Sequence, residues 1–208
     1  RPNSPPNNHK KVFVHNNYGK KTLLTQAMDA ALAAKEDWAN LPWEQRAAIF
    51  LKAADLLAGP FKDKMSAATM LAQSKNVYQA EIDSVCELID FIRMNVTFMQ
   101  QIYSEQPESN PGMWNRLEYR PLEGFVLCIT PFNFTAIAAN LPASAAMMGN
   151  TCVWKAAESQ MYSAQVIMEL FQAAGLPDGV INLIAVDGPE VGEVVFSHKE
   201  SAGLPCLG

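Results

Sequence analysis

From Gly124 to Trp154 the chain runs 31 residues without a charged side chain. A segment so poor in charge has to be buried, in a bilayer or in the centre of a fold. Pro131, Asn133, Asn140, Pro142, Gly149 and Asn150 interrupt it. They leave no stretch of about 18 consecutive apolar residues, so a membrane helix is excluded and a buried core is expected. The whole chain, 208 residues, is long enough to bury such a core as one domain, or as one domain with a helical appendage.

Composition narrows the function classes. Hydrophobic residues make up 49% of the chain, which excludes intrinsic disorder. The net charge is −5, and the only adjacent basic residues are Lys10–Lys11 and Lys20–Lys21. Nucleic-acid binding normally needs a basic patch, so none is expected. The four cysteines, Cys86, Cys128, Cys152 and Cys206, include no C-x-x-C pair, and three have apolar neighbours. They are expected to stay reduced, in a reducing compartment, without a disulfide scaffold or a metal. His9, His15 and His198 lack metal spacing. The start, Arg1-Pro2-Asn3-Ser4-Pro5-Pro6, has no apolar core of a signal peptide.

Periodicity divides the chain near residue 115. Residues 1–20 are rich in Pro and Asn and form an extended lead-in, with one strand at Lys11–His15. Helical spacing predicts helices over Thr22–Trp38, Trp43–Ala58, Phe61–Ser74 and Tyr78–Tyr103. In the last of these Ile82, Val85, Leu88, Ile89 and Ile92 form one apolar face. After residue 115 come short strands at Arg116–Tyr119, Phe125–Thr130, Thr151–Trp154 and Val180–Ala185. Helices at Phe134–Met148, Ser159–Ala174 and Pro189–Ser197 follow the last three, and Ser159 is the expected cap of its helix. Alternating strands and helices with short loops mean parallel βαβ units. The fold class is therefore α/β, with a helical layer contributed by the first half of the chain.

Ligands of open parallel sheets bind beyond the C-terminal ends of the strands. At the first such end Asn133 stands between two aromatics, and its position reads first as a cap for the following helix. At the second, Lys155 and Glu158 could clasp the hydroxyls of a ribose or form a plain surface pair. At the third, Gly188 and Gly192 flank a helix start, a weak pointer to a pyrophosphate, and no G-x-G-x-x-G fingerprint occurs. Glu81 reads as a solvated acid in the first turn of its helix.

Taken in order, Pro131-Phe132-Asn133-Phe134, Gly149-Asn150, Trp154-Lys155-x-x-Glu158 and the segment from Ala173 to Asn182 (AAGLPDGVIN) resemble the aldehyde dehydrogenase superfamily. The resemblance covers the N-terminal part of its NAD-binding domain, from the first helix to Gly203, and implies an N-terminal lead-in and helical part, 1–115, followed by the first βαβαβ part of a Rossmann-like parallel sheet, 116–208. The segments Gln79–Asp83 (QAEID), Glu87–Phe91 (ELIDF), Glu105–Pro107 (EQP), Leu122–Phe125 (LEGF) and Pro131–Ile137 (PFNFTAI) are similar to the pyrroline-5-carboxylate dehydrogenase branch. That branch oxidises glutamate 5-semialdehyde to glutamate with NAD in proline degradation.

The resemblance implies roles residue by residue. Asn133 becomes the oxyanion-hole amide, in place of the cap. Lys155 and Glu158 hold the adenosine ribose, and the acid disfavours a 2′-phosphate, so NAD is the expected cofactor. Thr130 and Pro131 line the dinucleotide cleft, and Gly188 and Gly192 let a helix end approach the cofactor. Glu81 lies near the substrate amino group, and Phe134 packs on the substrate's aliphatic part. A homo-oligomer is implied for the full-length enzyme, in the mitochondrial matrix of a eukaryote or the cytoplasm of a bacterium. The family's nucleophilic cysteine in Gly-Gln-x-Cys and its base in Glu-Leu-Gly-Gly are absent. Cys206 has the wrong neighbours for the nucleophile. The chain is expected to be inactive by itself, as a truncated part of such an enzyme. The alternatives are a succinic semialdehyde type of dehydrogenase, or a non-catalytic product that binds nucleotide or partner subunits.

Overall fold

A computed structural model describes residues 1–206 of the chain. The lead-in forms one short antiparallel pair, β1 (Pro2–Asn3) with β2 (Val14–His15). Three helices follow: α1 (Lys21–Asn40), α2 (Trp43–Ala58) and α3 (Lys62–Gln73). A long helix then begins as α4 (Val77–Ala80), widens into a π-helical stretch over Glu81–Cys86, and continues as α5 (Glu87–Ser104).

The previously noted uncharged run supplies β3 (Phe125–Ile129), α6 (Thr135–Met147) and most of β4 (Cys152–Lys155). After it come α7 (Met161–Ala174), β5 (Ile181–Ile184), α8 (Gly188–Val195) and β6 (Ser201–Gly203). The four strands are parallel in the order β5-β4-β3-β6. Gly124 (φ +80°) makes the entry to β3 possible, because a Cβ there would stand 1.9 Å from the Glu200 carbonyl oxygen. That carbonyl accepts a hydrogen bond from the Phe125 amide at 2.9 Å.

Strand residues alternate between faces, and here both faces are covered. Val126, Cys128, Cys152 and Trp154 join a core built with α2, α3, α5, α6 and α7. Phe125, Leu127, Val153 and Ile184 join a second core built with α1 and α8. Both cores therefore draw on residues from either side of position 115. The buried Arg46 of α2 ties the layers together. Its guanidinium donates to the carbonyls of Met147 and Leu41 and to the Tyr103 hydroxyl, placing a cation at the C-terminal end of α6.

Four expectations change. Arg116–Tyr119 is not a strand: the Leu117 amide donates to the Gln106 side chain at 2.8 Å, and among the described residues no strand pairs with it. The strand expected at Lys11–His15 shrinks to Val14–His15. Ser159 does not cap α7, because Glu158–Gln160 forms a single 3₁₀ turn ahead of Met161. Ile82 leaves the apolar face and is 61% exposed, whereas Val85, Leu88 and Ile92 are buried. Ile82 lies near the start of the π stretch, where about one extra residue per turn takes it off the α-helical register of Val85, Leu88 and Ile92. Among the described residues no helix is long and apolar enough to cross a membrane.

Candidate functional site

Strand order reverses between β3 and β6, so the loop after β3 stands at the topological switch point of the sheet. Its first residues are anchored. Thr130 is buried, its hydroxyl accepts from Trp154 Nε1 at 2.8 Å, and its amide donates to the Lys155 carbonyl at 3.2 Å. Pro131 is buried beside it. At the far end Thr135 is held from α3: its hydroxyl pairs with that of Thr69 at 2.8 Å and accepts from Gln73 Nε2 at 2.8 Å. Gln73 Nε2 also donates to Gln160 Oε1 at 2.9 Å, joining α3 to the start of α7.

Between these anchors Phe132 and Asn133 are exposed. Asn133 does not cap α6, whose N-terminus has no side-chain cap. Among the described residues its side-chain amide makes no hydrogen bond, so both N–H groups are free to face a ligand, while its main-chain carbonyl accepts from Lys75 Nζ at 2.6 Å. The same ammonium lies 4.2 Å from the Phe134 ring centroid and pairs with Asp83 at 2.7 Å.

The second and third strand ends meet. Lys155 is half-buried, and its Cε lies 4.0 Å from where a Cβ on Gly188 would stand. A Cβ on Gly192 would meet only the Phe196 ring, at an ordinary 3.5 Å. Nothing among the described residues therefore demands glycine at either position, and an exposed Gly188 beside a lysine leaves room for a ligand at the start of α8. Lys155 and Glu158 do not pair with each other among the described residues. Lys155 Nζ turns to the Ala156 carbonyl at 3.4 Å, and exposed Glu158 lies 3.5 Å from the Arg1 guanidinium. Arg1 also grips Asp187 with two 2.7 Å bonds, which holds that carboxyl below its usual range. Burial beside Glu158 pushes the Tyr18 phenol up to about 12. At two adjacent strand ends the lysine, the phenol and the open start of α8 supply donors and the carboxylates supply acceptors, a set suited to the hydroxyls of a ribose.

Glu81 stands apart from this group. Its carboxylate pairs with Lys62 of α3 at 2.6 Å, and it has no bond to Asn133 or Phe134 among the described residues. Four residues that hold the site escaped the sequence reading: Thr69, Gln73, Lys75 and Trp154 through its indole N–H. Lys75 is the one with a local signal, since it precedes a capping box in which Asn76 and Gln79 bond each other's amides. The partners of the others lie far away in sequence. Among the described residues no cluster of His, Cys, Asp and Glu could hold a metal ion.

The model of the aldehyde dehydrogenase family matches residues 3–208. The probable delta-1-pyrroline-5-carboxylate dehydrogenase of Schizosaccharomyces pombe is 47% identical over 204 residues, 98% of this chain and 37% of that protein. The mitochondrial delta-1-pyrroline-5-carboxylate dehydrogenase of Mus musculus is 44% identical over 98% of this chain and 36% of its own length. The chain thus spans little more than a third of these relatives. Among solved structures, the delta-pyrroline-5-carboxylate dehydrogenase of Mycobacterium tuberculosis bound with NAD superposes with a TM-score of 0.96. It is 53% identical, over 98% of this chain and 38% of that one.

Proposed function

Because the chain belongs to the aldehyde dehydrogenase family, we propose that it forms the N-terminal part of an NAD-linked dehydrogenase. The substrate is glutamate 5-semialdehyde, in equilibrium with 1-pyrroline-5-carboxylate, and the product is glutamate. The observation that carries this reading is the free side-chain amide of Asn133 at the switch point, on a loop anchored at both ends. It stands in a chain 53% identical to a pyrroline-5-carboxylate dehydrogenase bound with NAD.

In this reading Asn133 donates a hydrogen bond to the alkoxide formed when a thiolate from elsewhere in the enzyme adds to the aldehyde. Lys155 and Glu158 hold the ribose hydroxyls, and the Glu158 carboxylate repels a 2′-phosphate. Gly188 and Gly192 open the start of α8 to the pyrophosphate, and Thr130 and Pro131 line the cleft. NAD, when bound, supplies the hydride acceptor. Phe134 packs on the methylenes of the substrate, and Glu81, released from Lys62, receives its amino group. Residues 1–115 act as lead-in and helical support, and 116–208 as the partial cofactor-binding domain. The complete enzyme acts as a homo-oligomer, in the mitochondrial matrix if eukaryotic, as the name of the mouse relative states for that protein, or in the cytoplasm if bacterial.

The test is NADH formation by a full-length dehydrogenase carrying this segment. Glutamate semialdehyde is expected to be preferred over succinic semialdehyde, and Asn133→Ala to cost about 10²–10³-fold in kcat. Preference for succinic semialdehyde, or an Asn133→Ala variant with unchanged kcat, refutes the reading. The 208-residue chain alone is expected to oxidise neither aldehyde, and calorimetry to show weak NAD binding.

A further inference from the structure

Lys75 is one of the residues that hold the loop after β3, and its ammonium makes three contacts with functional consequence. Nζ donates to the Asn133 carbonyl at 2.6 Å, lies 4.2 Å from the Phe134 ring centroid, and pairs with Asp83 at 2.7 Å. Its side chain is only 15% exposed and that of Asp83 22%, so this ion pair is better shielded from solvent than one at the surface. Ser74 ahead of it sits at φ +51°, the single non-glycine residue with positive φ among those described, and Asn76 behind it begins the capping box. Ser74 is the left-handed C-cap of α3, so Lys75 links the end of one helix to the capped start of the next.

We propose that Lys75 is a positioning residue for the oxyanion site: it fixes the Asn133 peptide so that the side-chain amide is pre-aimed, and it seats the Phe134 ring. The inference rests on the dehydrogenase reading for its catalytic meaning, but its geometric content stands alone. The charge that steadies the ammonium comes from the π stretch and the turn after it. Asp83 pairs with it directly, and Glu87 lies close enough for the two charges to influence each other. The extra residue of the π stretch thus gains a purpose, because it places Asp83 against the corner from which Lys75 reaches the loop. A donor aimed before reaction needs no reorganisation during it, and a displacement of about 1 Å can cost about 100-fold in rate.

Two measurements test this. In a full-length dehydrogenase carrying this segment, Lys75→Met is expected to lower kcat about 10- to 100-fold while KM for NAD stays unchanged, and Lys75→Arg to recover most of the loss. In the 208-residue chain, ¹⁵N relaxation should show the Asn133 and Phe134 amides rigid, with order parameters near about 0.85, falling below about 0.6 in Lys75→Met while β3 and β4 are unaffected. Unchanged order parameters, or unchanged kcat in an active enzyme, overturn the inference. So does a parallel loss of kcat, NAD affinity and β3–β4 rigidity that arginine fails to rescue. If the order parameters respond as expected but the wild-type enzyme does not oxidise glutamate semialdehyde, the dehydrogenase reading fails and the positioning role of Lys75 stands.

Discussion

The hydroxyl pair Thr69–Thr135 allows a sharp test of how the candidate site is held. Thr69 is 0% and Thr135 is 1% exposed, and the two oxygens lie 2.8 Å apart. Thr69→Val removes one hydrogen bond but leaves the Thr135 hydroxyl its bond from Gln73. The cost is that of one net hydrogen bond, about 1 kcal/mol. Thr135→Val removes both bonds. The Gln73 amide keeps Gln160, but the Thr69 hydroxyl is stranded in the core, which at about 1 kcal/mol, the low end for such a group, adds to about 2 kcal/mol for the two bonds. The total is about 3 kcal/mol. For a chain of this size about 2–4 °C of Tm correspond to each kcal/mol. Thermal unfolding of the 208-residue chain should therefore fall by about 2–4 °C for Thr69→Val and about 6–12 °C for Thr135→Val. The double variant leaves no stranded hydroxyl, so it should melt above the Thr135→Val single variant. Additive losses would refute the reasoning, because they would mean that the Thr69 hydroxyl finds another acceptor on its own helix.

Two further outcomes follow from the same structure. Burial and the neighbouring Asp83 carboxylate push the Glu87 carboxyl above its usual range, against the pull of Lys75. The folded state then binds this proton more tightly than the unfolded chain, whose glutamates titrate near about 4.3, so this contribution to stability falls as pH rises from there through the folded value. Glu87→Gln should raise Tm at pH 7 and flatten that part of the pH profile, and a lower Tm at pH 7 contradicts the assignment. Gly124→Ala would drive a Cβ to 1.9 Å from the Glu200 carbonyl oxygen at φ +80°. It should lower Tm by at least about 6 °C, and a loss under about 2 °C would show that the β3–β6 junction adapts.

What could be read from the sequence follows the range of the forces involved. The strand beginning at Phe125 is legible because an apolar run between Gly124 and Pro131 leaves no other local solution. Trp43–Ala58 is legible because Pro42 and Gly59 bound a helical pattern. Arg116–Tyr119 misleads because a strand needs a neighbour, and its local pattern carries no information about one. The π stretch hides because one extra residue per turn barely alters a short periodic pattern, and Ile82 pays no visible penalty until its face is known. At the site, Asn133, Lys155 and Gly188 stand at strand ends that topology alone identifies. Lys75, Thr69 and Gln73 act on residues across the fold, and no spacing rule reaches that far.

The bonds that hold the loop after β3 also set when that loop can become ordered. Lys75 with Asn133, Thr69 with Thr135 and Gln73 with Gln160 join residues 58, 66 and 87 positions apart. Contacts of such separation form late, since each closes a long loop of chain before it gains anything. During synthesis α3 emerges well before β3, and the corner at Ser74 must wait for its partners. Ordering of the Asn133 loop is therefore expected among the last folding steps, so that a ligand-ready loop reports a helical layer already docked on its sheet.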